Sequence, residues 1–68
     1  MIPKFVVEFL KQKHSFTDED IKIIDSNWFF YANQGFSFNR ASERAIVREA
    51  SIVLACAKEQ NLSTDLVN

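Results

Sequence analysis

With one cysteine among 68 residues, no disulfide can form within this chain, and a lone thiol suits a reducing compartment. One histidine, His14, excludes a Cys/His cluster of zinc-ligand spacing. One glycine and one proline leave few tight turns. That disfavours a sandwich or a barrel, which need turn residues at short intervals. The same lone glycine, Gly35, rules out a glycine-rich phosphate loop and a nucleophile elbow. A formal net charge of −1 offers no overall attraction for nucleic acid or an anionic membrane surface. No apolar run approaches the ~20 residues of a spanning helix. Glu8 and Lys11 interrupt the N-terminal apolar stretch too early for a signal peptide. The expectation is a cytoplasmic, non-enzymatic protein, starting at Met1 as a complete small reading frame, with no catalytic, cofactor or metal site.

What is present points to a packed fold. Hydrophobic residues make up 47% of the chain and nine of them are aromatic (seven Phe, one Trp, one Tyr), too many for a disordered segment. The length suits one small domain, residues 1–68, near the size at which a single core is only just sufficient. The longest periodic stretch is Asn39–Gln60. In it Ile46, Val47, Ala50, Val53, Leu54 and Ala57 fall in one stripe. Ala45, Ile52 and Cys56 form a thinner line on one flank, and Arg40, Arg44, Arg48 and Lys58 lie on roughly the opposite side. Asn39 is the expected N-cap of this helix, with Ser37 as its competitor.

Two shorter helices precede it. Pro3 suits a first helical position, and Ile2, Val6, Phe9 and Leu10 then form one face of a helix over 3–13. Thr17 is a good N-cap, and Asp20 stands three residues later in a capping box. Phe16 and Ile21 flank the cap as a hydrophobic staple. Asp18, Glu19 and Asp20 crowd a first turn that favours negative charge. That position explains the acidic group without a bound cation. Gly35 is placed to end the second helix, giving 18–34, with Phe36 folding back onto Tyr31. The fold class is all-α: a compact three-helix domain with helices at about 3–13, 18–34 and 39–60. A short turn around Ser63-Thr64-Asp65 would complete it.

The second helix has more apolar residues than one face can hold. Ile21, Ile24, Trp28, Tyr31 and Ala32 line one side, Ile23 and Phe30 project from nearly the opposite one, and Phe29 points a third way. A helix apolar most of the way round is normally buried most of the way round. Ile23, Phe29 and Phe30, with Trp28 as an anchor, are therefore expected to form a protein interface, with a second copy of the chain as the preferred partner. The function expected on this reading is that of a small regulatory or adaptor protein acting by helix-mediated protein contact. The alternative is a small DNA-binding transcriptional regulator. Its outline would be a helix, a short connection over Gly35–Phe38, and a second helix carrying Arg40, Arg44 and Arg48 in a row. Arg44 and Arg48 have no acidic residue one turn away, so an external anion, DNA or an acidic protein, is a natural complement. His14 reads as a helix C-terminal residue, and Cys56 as a small packed thiol.

Overall fold

The structure is a computed structural model that describes the backbone of residues 1–67 and the side chains of residues 1–60. It contains three helices, α1 (Lys4–His14), α2 (Asp18–Tyr31) and α3 (Glu43–Val67). There is no strand among the described residues. The all-α three-helix class is thus what the chain adopts. No described helix is long and apolar enough to cross a membrane.

α1 begins one residue later than the periodicity implied. Pro3 is extended (φ −64°, ψ 153°) and flanks the helix as its N-cap, with its carbonyl accepting from Val7 N–H at 3.1 Å. The helix closes at Ser15, which takes the left-handed conformation (φ 60°), while Phe16 N–H returns to the Leu10 carbonyl at 3.1 Å. Ile2, Val6 and Leu10 are buried in the core, and Phe9 packs against it half-buried.

α2 starts where the capping box placed it. Asp20 N–H donates to Thr17 Oγ1 at 3.0 Å and Thr17 N–H donates to Asp20 Oδ2 at 3.1 Å. Phe16 and Ile21 both pack on the core. The hydrogen bond from Thr17 N–H holds the Asp20 carboxyl below its ordinary value of 3.8, and the Lys58 ammonium 3.8 Å away acts in the same sense. A carboxylate so lowered adds stability above its unfolded value and loses it as the pH falls through the lowered one. Asp20→Asn is therefore expected to flatten the fall in stability below about pH 3.8 while keeping the helix content at neutral pH. Urea midpoints measured from neutral to acid pH check this, and parallel curves for both proteins would refute it.

The end of α2 differs from the sequence reading. The helix stops at Tyr31, three residues short of Gln34, because Ala32 turns extended (φ −76°, ψ 153°). Asn33 N–H leaves the helical ladder and donates to Glu49 Oε1 at 3.0 Å. Gly35 does adopt a positive φ of 84°, but inside a turn closed by Phe36 N–H on the Asn33 carbonyl at 3.1 Å, not as a helix cap. Phe36 folds back onto Trp28 rather than Tyr31, ring centroids 5.7 Å apart, and Phe38 joins them at 4.8 Å from Trp28. These aromatic contacts hold residues 36–38 over the end of α2. The chain is consequently not free to begin the next helix at Asn39.

α3 begins at Glu43 instead. Its cap is Ser42, whose Oγ accepts from Ala45 N–H at 3.1 Å, so neither Asn39 nor Ser37 takes that role. The connection runs from Ala32 to Ser42, eleven residues, in place of the expected Gly35–Phe38. At its far end α3 continues to Val67, where a separate turn around Ser63-Thr64-Asp65 was expected. The side chains of residues 61–68 lie outside the described residues, and so does the whole of Asn68.

α2 and α3 are the principal pair and run antiparallel: Asp20 meets Lys58 near one end, and Asn33 meets Glu49 near the other. The core lies between them and under α1, built on Leu10, Ile24, Val6 and Val53. The small buried Ala50 and Ala57 let the helices approach closely.

Candidate interaction surface

Contacts of α1 fix which side of the α2/α3 layer it covers. Ile2 N–H donates to Asp25 Oδ1 at 2.9 Å, and Lys11 pairs with Asp18. On α3 the corresponding neighbour is Val47, which shares a groove with Phe9. At ~100° per residue, Asp18 and Asp25 lie about 100–120° one way round α2 from the buried Ile24, and Val47 lies about 100° the same way round α3 from Ile46. In an antiparallel pair, turning the same way about each axis leads to the same side of the layer. α1 therefore lies on the Asp18 and Asp25 side, while at the first turn of α3 the groove beside it also takes in Ala45 from the other flank.

The opposite side carries Ile23 and Phe30 from α2, about 100–120° the other way from Ile24, and Cys56 and Ile52 from α3, about 80–120° the other way from Ile46. Phe30 is 80% exposed and Ile52 43%, while Ile23 and Cys56 are half-buried. This is an apolar face that no described helix covers. Ile52 and Cys56, from the flank line noted in the sequence, are the α3 half of it; Ala45, the third member of that line, lines the groove beside Phe9 and His14 instead.

The expected interface residues are not all brought together. Ile23 and Phe30 share the open face. Phe29, 88% exposed, lies about 100° further round the helix. Trp28 is half-buried beneath Phe36 and Phe38, so its indole is engaged inside the fold. Ile52 and Cys56 were legible as a flank but could not be assigned a neighbour before the side covered by α1 was known.

The arginines divide as well. Arg44 and Arg48 stand one turn apart on α3 and are exposed. Arg40 precedes the helix, its N–H closing a turn on the Ser37 carbonyl at 3.2 Å. The row of three becomes a pair on a helix and one residue in a loop. An eleven-residue connection between antiparallel helices also departs from a helix-turn-helix, whose 3–4-residue turn sets its helices at about 90–120°.

Glu49 is the one buried charged side chain among the described residues, 5% exposed, and its carboxyl accepts the Asn33 N–H that α2 releases. Its only sequence signal was an acid in the stretch next to the core stripe. The His14 ring stacks edge-on against Phe9 at 4.9 Å. No group of three His, Cys, Asp or Glu side chains is gathered for a metal ion among the described residues. No protein-family model, curated protein or solved structure matches the chain.

Proposed function

We propose that this chain is a small non-enzymatic regulatory or adaptor protein that works through helix-mediated protein contact, assembled as a homodimer across the open face of α2 and α3. The observation that carries the reading is the pair Phe30 and Ile52, exposed on the side of the layer opposite α1. Two such faces brought together would form a four-helix core, with one α1 on each outer side.

The surface area is in keeping with this. The chain presents 5174 Å² of accessible surface, against about 4400 Å² for a compact monomer of 7.9 kDa. A standard interface takes ~800 Å² from each partner. Fully burying a Phe side chain contributes about 1.5–3 kcal/mol, and a symmetric dimer buries two copies.

Sedimentation equilibrium over a wide concentration range tests the proposal. Wild type is expected to be a dimer. Phe30→Asp is expected to weaken it by at least about 100-fold, with an unchanged helical circular dichroism spectrum. Phe29→Asp, altering a residue away from the face, should leave assembly intact. A wild-type protein that stays monomeric at high concentration would sink the dimer.

A further inference from the structure

A second surface lies on the side that α1 does cover. An open groove of about 950 Å³ lies between the C-terminal half of α1 and the first turns of α3. Phe9, Ala45 and Val47 line it with apolar surface, and its polar lining is cationic at Lys13, Arg44 and Arg48, with His14, Ser42 and Glu43 beside them. A smaller concavity of about 290 Å³ continues it past Phe9 towards Phe5 and Phe38. Phe5, 50% exposed, lies at that end.

Charge is separated between this groove and the rest of the molecule. Three of the chain's eight Lys and Arg residues line the groove against one of its nine Asp and Glu. None of Lys13, Arg44 and Arg48 takes part in an ion pair among the described residues, whereas Lys11 and Lys58 are both paired with acids of α2. Arg44 and Arg48 one turn apart repel each other mildly, and a carboxylate placed between them removes that penalty.

We infer that this groove binds an acidic amphipathic helix of a partner protein. An apolar side chain of that helix rests on Phe9 and Val47, and carboxylates one turn to either side of it reach Arg44, Arg48 and Lys13. The distance along α1 from Phe5 to Lys13 is about 12 Å, two turns of a helix, which is the usual span of anchors in helix-in-groove recognition. Nucleic acid suits the site less well. Phe9, Ala45 and Val47 offer it apolar side chains, Glu43 adds a carboxylate to the lining, and the chain as a whole is negative. The inference rests on the reading of the chain as an interaction protein and is independent of the dimer, since none of Ile23, Phe30, Ile52 and Cys56 lines the groove.

The test is an NMR titration of the 15N-labelled protein with two synthetic helical peptides of one leucine pattern, the outer positions all Glu in one and all Lys in the other. The acidic peptide is expected to shift the amides of Phe9, Lys13, Val47 and Arg48. Its affinity should fall at least tenfold in the Arg44→Glu, Arg48→Glu double variant and hold in Phe30→Asp. The basic peptide should not bind. No shift in the groove with the acidic peptide overturns the inference, as does equal binding of both peptides. So does a short DNA duplex that uses the same residues more tightly than the acidic peptide. A monomeric wild type that still binds the acidic peptide at the groove would remove the dimer and leave this site standing.

Discussion

Leu10→Ala is expected to leave the domain largely unfolded at room temperature. Leu10 is fully buried, where α1 packs across Ile24, Val53 and the other core residues. Truncating a buried leucine to alanine costs about 2–5 kcal/mol, from lost burial and the cavity left behind. A core of this size rarely supplies more than about 3–5 kcal/mol in total. The loss is therefore comparable to the whole stability. Urea unfolding followed by circular dichroism reads it directly. Phe5→Ala is the control, because that ring is half exposed and its loss should leave a cooperative transition in place. A Leu10→Ala protein with an unshifted midpoint would mean that α1 is not part of the folded core.

The second large effect is expected at Glu49. Its carboxyl, buried on α3, accepts the Asn33 N–H released when α2 stops. Removing the acceptor with Glu49→Ala loses that bond, at about 0.5–1.5 kcal/mol because Asn33 is exposed and water can take the acceptor's place, and also opens a small cavity where the buried side chain stood. For a domain of this length each kcal/mol lowers the melting temperature by about 4–8 °C. Glu49→Gln retains an oxygen at the same place and is expected to lose about 1 kcal/mol or less. Hydrogen exchange at Asn33 separates the bond from general packing: protection should vanish in Glu49→Ala and persist in Glu49→Gln. A Glu49→Leu protein more stable than wild type would show that burying the carboxyl costs more than its hydrogen bond returns.

The start of α2 is easier to read than its end, and the reason is local. The Thr17–Asp20 box encloses four residues and closes on itself, so its two hydrogen bonds form whatever packs around them. The end of α2 has no such signature. Ala32 is a strong helix former, and nothing adjacent to it says stop. The stop comes from Glu49, sixteen residues beyond Asn33, and from the Trp28–Phe36–Phe38 ring cluster. That same cluster displaced the start of α3 from Asn39 to Glu43 and so took Arg40 out of the helical row. Of the candidate interface residues, Ile23 and Phe30 were legible from the excess of apolar positions on one helix. Trp28 packs with Phe36 and Phe38, which approach from a loop whose path periodicity does not encode.

By itself the sequence determined the all-α class, the start of α2, and the stripe of Ile46, Ala50, Val53 and Ala57 that faces the core. These follow from the 3.6-residue period and from capping chemistry, both of which act over a few residues. Tertiary structure decided where α2 ends, which serine caps α3, and which side of the α2/α3 layer α1 covers. Periodicity tells which face of a helix is apolar, but not which neighbour will lie upon it. That choice leaves Phe30 and Ile52 exposed on one side of the layer and sets Arg44 and Arg48 beside a groove on the other.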